Sequence, residues 1–168
     1  MGEPVRTLIG GIGYRNLRDH SAAFAVMDRL QQDDLGEHVL VEDTSYNPIA
    51  LGQWLDSEPP GRRFDRVVFV SAVSREGRRP GDVVSYRWSG MLPPDAEVQQ
   101  AVTEAVTGII ALDNTLVIGT YFKSLPPSVA VVEIEPLAHE FGSELTPEVA
   151  AAVPRACAAI RALLAEAL

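Results

Sequence analysis

The sequence predicts an α/β domain, a three-layer sandwich in which a mostly parallel, twisted sheet carries helices on both faces. Strand-like apolar runs alternate along the chain with segments of helical period, the pattern of successive β–α units. One run, Val67-Val68-Phe69-Val70, is apolar without interruption, as a strand buried on both faces requires. The 168 residues, 46% of them apolar, suit one hydrophobic core, so residues 1–168 are expected to form a single domain.

Thr7-Leu8-Ile9 reads as the first strand, leaving the sheet at Gly10-Gly11-Ile12-Gly13. Ser21 reads as a helix N-cap, after which Ala23, Phe24, Met27 and Leu30 recur at helical spacing up to Gln31-Gln32. His38–Glu42 is the second strand, with Asp43 at its carboxyl end. Pro48 opens a short helix through Leu51 and Leu55, which Glu58-Pro59-Pro60-Gly61 ends. After the Val67–Val70 strand, the turn Pro80-Gly81-Asp82 leads to Val83–Trp88, an alternating strand expected near an edge. Val98, Ala101, Val102 and Ala105 have helical spacing. Asp113 begins a further helix through Leu116, Val117 and Tyr121, although Thr115–Thr120 is β-branched enough to form a strand. Val129–Ile134 is the last strand. Thr146-Pro147 starts a terminal helix, which Pro154 is expected to kink.

Charge narrows the partners. Lys and Arg number 14 against 23 Asp and Glu, a formal net charge of -9 that repels a phosphate backbone, so no nucleic acid partner is expected. Arg75, Arg78 and Arg79 share one loop and read as a solvated turn. Cys157 is the only cysteine and reads as a buried structural thiol. No signal-like segment precedes the first strand. No apolar stretch reaches the ~18–20 residues of a membrane helix, so the expectation is a cytoplasmic protein without a membrane partner.

In open α/β sheets, ligands gather where loops leave the carboxyl ends of the strands. Three such ends, Gly11–His20, Asp43–Asn47 and Ser71–Glu76, are expected to bring Asp19, His20, Asp43 and Ser71 to one rim. Gly11-Ile12-Gly13 has the first half of a dinucleotide fingerprint, but Asn16 occupies the third glycine position and no Lys-Ser/Thr follows. These glycines read as a tight turn with close backbone approach. His20, in a polar loop beside Asp19, suits a metal or an acid–base role, or a plain surface position near a helix start. Asp43 is either a turn-forming side chain or a site acid. Ser71 lacks the Gly-x-Ser-x-Gly elbow of a serine nucleophile, and His139 lies in a late loop with no ligand-spaced neighbour.

The order of segments resembles a known family. Thr7-Leu8-Ile9-Gly10-Gly11-Ile12-Gly13 followed by Asp19-His20-Ser21 is similar to the opening of the hydrogenase maturation peptidases. Val39–Thr44, Phe64–Val73, Pro80–Val83, Leu125-Pro126-Pro127, the strand to Ile134-Glu135-Pro136 and Leu145–Val149 continue the resemblance over nearly the whole chain. It implies an α/β fold and a cytoplasmic endopeptidase that removes a short C-terminal extension from the large subunit of nickel–iron hydrogenases. It also implies that nickel, held by the substrate, is recognised through two acidic residues and one histidine. Those positions fall here on His20, on Ser71 and near Gly108. Serine is a poor ligand for such a metal and glycine has no side chain, so His20 is the one metal-ligand candidate and no cofactor is expected to bind tightly. By the same resemblance Asp43 and His20 are the catalytic candidates, and Gly11, Gly13, Asp19 and Ser71 line a substrate or partner cleft. The implied partner is a protein, a hydrogenase-like large subunit. Two readings follow: a divergent peptidase acting on that subunit's C-terminal tail, or a non-catalytic relative that binds a partner as an assembly factor or chaperone.

Overall fold

A computed structural model describes residues 2–168. Its strands are β1 (Thr7–Ile12), β2 (Val39–Asp43), β3 (Arg66–Ala72), β4 (Val83–Arg87) and β5 (Ser128–Ile134). Its helices are α1 (Ala22–Gln31), α2 (Pro48–Ser57), α3 (Asp95–Val106), α4 (Leu112–Tyr121) and α5 (Pro147–Ala165). The sheet runs β2-β1-β3-β5-β4, parallel throughout except for the antiparallel edge strand β4. The predicted α/β sandwich is what forms.

Side-chain alternation divides the core into two layers. Ile9, Val68, Val70, Val132 and Ile134 pack against α1 and α5, through Ala23, Val26, Leu30, Ala156 and Ile160 among others. Leu8, Val67, Phe69 and Val131 face the opposite way, onto Leu51 and Leu55 of α2 and Leu112 and Leu116 of α4. Each such fully buried aliphatic side chain contributes roughly 1.5–3 kcal/mol, which is why the continuous apolar runs become central strands. Outside this layer, α3 packs on α4 through Ala101, Ala105 and Ile118.

Two local expectations change. β1 does not leave the sheet at Gly10. Gly10 and Gly11 stay paired to Glu42 and Asp43 on one side and to Phe69 and Val70 on the other. Residues 115–120 are helical as expected, because Leu112, Leu116 and Ile118 fall on buried helical positions. Ser21 precedes α1, but its hydroxyl donates to the Arg18 carbonyl at 2.7 Å instead of accepting from the helix. The terminal helix starts at Pro147 as expected, and α5 contains Pro154. Both Pro154 and Ala150 are exposed there, so the carbonyl that loses its usual partner faces water.

Cys157 is buried, and burial pushes its thiol above the ordinary range, as befits a packing residue. Among the described residues no helix is long and apolar enough to cross a membrane.

Candidate functional site

From β1 the chain crosses over to β2 on one side of the sheet and returns through α2 to β3 on the other side of β1. Connections therefore diverge between β1 and β3, and a crevice opens outside their carboxyl ends. A cleft of about 230 Å³ lies there, lined by Gly13, Tyr14, His20, Ser71 and Asp113 over a floor that includes Ile12.

Glycine is required at the loop entering this cleft. A Cβ on Gly13 would lie 2.5 Å from the His20 carbonyl oxygen, and one on Gly11 would lie 2.0 Å from Met27 Sδ. That close approach lets the Tyr14 N–H donate to the His20 carbonyl at 2.9 Å and the Gly13 N–H donate to Ser45 Oγ at 2.9 Å. Tyr14 also ties the loop to the α3–α4 connection, its hydroxyl accepting from the Ile110 N–H at 2.8 Å. Gly11 is buried inside β1 against α1 and does not line the cleft.

Asp19 and His20 are neighbours in sequence with opposite fates. Asp19 is 0% exposed and points away from the cleft, a correction to its expected place at the rim. It accepts from the N–H groups of Leu137, Ala138 and Thr146 and from the Thr146 hydroxyl, at 2.8–2.9 Å. Burial alone would raise its pKa. The hydrogen bonds from Ala138, Thr146 and Leu137 outweigh that and hold the carboxyl below its usual range. Asp19 thus clasps the segment between β5 and α5, and Thr146 serves this carboxylate rather than capping α5.

His20 does reach the cleft. Its Nε2 lies 2.7 Å from Nδ1 of His139, with the rings tilted by 42°. Burial first, and the neighbouring His139 second, push the His20 pKa down, opposed by Asp19. The partner histidine was not legible in sequence, since His139 sits 119 residues away. Ser71 is buried in the cleft wall, where its hydroxyl donates to the Ile12 carbonyl at 2.7 Å. That hydrogen bond commits the hydroxyl proton to the backbone.

Asp43 does not line the cleft. Its Oδ1 accepts from the Ser45 N–H at 2.9 Å, the turn-forming option, and its other oxygen is 3.9 Å from Arg15 Nη2. The expected pair of His20 with Asp43 is replaced by His20 with His139. Near the position assigned to the family histidine, Gly108 has φ +92° and ends α3, with the Ile109 N–H donating to the Glu104 carbonyl at 2.9 Å. Glycine's tolerance of that conformation explains the residue. The segment after it lends the cleft only one ionisable side chain, Asp113.

Beside the cleft lies a charge cluster that sequence reading missed. Glu133, in β5, is 0% exposed. It accepts from Arg75 Nε and Nη2 (both 3.1 Å), Arg78 Nη1 (2.7 Å) and the Tyr86 hydroxyl (2.6 Å). Burial opposes its ionisation, but Arg75, Tyr86 and Arg78 together hold it below the usual carboxylate range. Arg75 and Arg78 are therefore not a solvated turn: they neutralise a buried carboxylate. Hydrogen bonds to Asp113 and Glu133 keep the Arg75 guanidinium protonated, and burial together with Glu133 raises the Tyr86 phenol. A glutamate inside the otherwise apolar β5 run was the one available signal.

Among the described residues no group of three His, Cys, Asp or Glu side chains converges, whereas catalytic metal centres use three protein donors and an open position. The cleft offers the His20 imidazole, hydrogen-bonded to His139 beyond the lining, with Asp19 turned away and Asp113 engaged by Arg75.

Solved structures share this architecture. The hydrogenase 2 maturation peptidase from Thaumarchaeota archaeon SCGC_AB-539-E09 superposes with a TM-score of 0.67 at 22% identity, covering 95% of this chain and 98% of its own. The hydrogenase maturating endopeptidase HybD from E. coli gives 0.70 at 20% identity, covering 95% and 92%. The [NiFe] hydrogenase maturation protease HybD from Thermococcus kodakarensis gives 0.65 at 18%, covering 95% and 99%. No protein-family model and no curated protein matches the sequence. At these identities the likeness establishes the fold, that of the hydrogenase maturation endopeptidases along the length of the chain.

Proposed function

We propose that this chain is a divergent relative of the hydrogenase maturation peptidases, and that its cleft receives the C-terminal tail of a nickel–iron hydrogenase-like large subunit in the cytoplasm. The observation that carries this is the cleft between β1 and β3, lined by Gly13, His20 and Ser71, on a fold shared end to end with maturation endopeptidases. His20 and Ser71 occupy positions at which the resemblance places substrate-facing residues.

What these residues can do is limited. A depressed pKa leaves His20 neutral near pH 7, so one of its two nitrogens is able to accept a proton from an attacking water. Its Nε2 is engaged by His139, which fixes the ring; with Nε2 as the donor of that hydrogen bond, Nδ1 carries the lone pair for that role. Nickel, on this reading, belongs to the substrate and would meet imidazoles in place of carboxylates.

A second reading, binding without cutting, is favoured by the carboxylates. Asp19 is fully occupied by four hydrogen bonds, and Asp43 lies outside the cleft. Such a chain would act as an assembly factor or chaperone on the same tail.

Incubating the purified chain with a tailed large subunit, nickel-free and nickel-loaded, separates the two. Loss of the tail by mass spectrometry, abolished in His20→Ala, supports the peptidase. A stable complex with the tail intact supports the assembly factor. Neither cleavage nor a complex would overturn the proposal.

A further inference from the structure

Arg75 stands between two carboxylates of very different accessibility. Its Nε and Nη2 donate to Glu133, which is fully buried. Its Nη1 and Nη2 donate to the two oxygens of Asp113, at 2.9 and 2.7 Å, and the Asp113 side chain is 57% exposed and lines the cleft. Glu133 is held in turn by Arg78 and Tyr86, and the Arg75 N–H donates to Glu135 at 2.9 Å. The guanidinium is therefore positioned without help from Asp113. An exposed ion pair contributes little and exchanges readily, whereas the buried one does not. Arg75 lies behind Asp113, outside the cleft-lining residues, so its outer edge is a two-pronged donor that meets the cleft only through a replaceable acceptor.

We propose that this outer edge is a receptor for a carboxylate of a peptide lying in the cleft, and that Asp113 is an internal stand-in which the peptide displaces. The inference rests on the cleft reading above and adds the chemistry by which the cleft recognises a tail. A guanidinium edge matches a carboxylate with two parallel hydrogen bonds, as it now matches Asp113. Ile12, Val73, Ile110 and Leu112 line the cleft with Asp113, so the residue bearing or adjoining the carboxylate that takes the Asp113 position is aliphatic. Once Asp113 swings out, two arginines face the buried Glu133 and Glu135, and the incoming carboxylate restores the charge that left.

The carboxylate can come from a peptide's C-terminus or from an acidic side chain, and three probes distinguish them. They are N-acetyl-Ala-Ala-Leu as the free acid, the same peptide as its C-terminal amide, and N-acetyl-Ala-Glu-Leu amide. In an amide-resolved NMR titration of the purified chain, the free acid is expected to shift Arg75 Nε–H and the Ser74 and Asp113 amides, and the plain amide is not. A response to the glutamate peptide extends the site to side-chain carboxylates; no response restricts it to the terminus. Asp113→Asn, which removes only the exposed competitor, should tighten the free acid by about two- to fivefold, the worth of an exposed pair. Arg75→Lys keeps a cation beside Glu133 but lacks the fork, and should lose the preference for acid over amide. Equal response to acid and amide, no tightening in Asp113→Asn, or no binding at all overturns the proposal. A large-subunit tail that binds equally as acid and amide sinks this receptor and leaves tail binding intact. Short acids that titrate Arg75 while no large subunit binds do the reverse.

Discussion

Nε2 of His20 lies 2.7 Å from Nδ1 of His139, so two imidazoles 119 residues apart share one hydrogen bond at the cleft. One proton bridges the two nitrogens. A second positive charge on the pair would meet the first at contact distance, and the nearby Asp19 carboxylate is turned towards Ala138 and Thr146 instead.

The pair makes stability sensitive to mild acid. Burial, then His139, hold the folded His20 below its ordinary value near 6.5. The unfolded chain therefore binds more protons at this site than the folded one. The contribution is complete above about pH 6.5 and is lost as pH falls through the depressed folded value. Thermal unfolding followed between about pH 7 and pH 5 should show Tm falling more steeply in the native chain than in His20→Ala. Parallel curves would refute the assignment.

Divalent metal binding is expected to be weak. Two imidazoles should hold Ni²⁺ or Zn²⁺ no tighter than about 1 μM, or about 8 kcal/mol, against roughly 10–16 kcal/mol for complete structural zinc sites. Isothermal titration at neutral pH should show the same modest loss in His20→Ala and His139→Ala. Sub-micromolar affinity that vanishes in His20→Ala would instead establish a metal-dependent centre.

Asp19→Asn should be among the more damaging isosteric changes. The amide nitrogen would face N–H and O–H donors in a buried site, and the charge-assisted bonds are lost. A cost of about 2–4 kcal/mol is expected, which lowers Tm by roughly 5–15 °C in a domain of this size. Faster amide exchange at Ala138 and Thr146 should accompany it. A drop below about 2 °C would mean that the clasp is dispensable.

Gly11→Ala and Gly13→Ala should fail differently. At Gly11 the new methyl meets the Met27 thioether, a flexible group; at Gly13 it meets the His20 backbone carbonyl. Both should cost about 1–3 kcal/mol. Only Gly13→Ala should move the amide resonances of Tyr14 and His20, and with them the cleft. Equal disturbance of the cleft by both variants would contradict the contacts described here.

The sequence by itself determined the strands, the helices and the end of the sheet at which the cleft opens. Burial on both faces demands uninterrupted apolar runs such as Val67–Val70, and amphipathic helices carry their period openly, so local chemistry suffices. Only the tertiary structure decided which polar side chains enter the cleft. Asp19 and His20 are adjacent, yet one is drawn inward by donors 118–127 residues away and the other is left to meet His139. Arg75 and Arg78 read as a solvated loop until β3 and β5 pair and set Glu133 beside them. A buried charge is stable only when its partners surround it, and those partners come from segments that folding alone brings together.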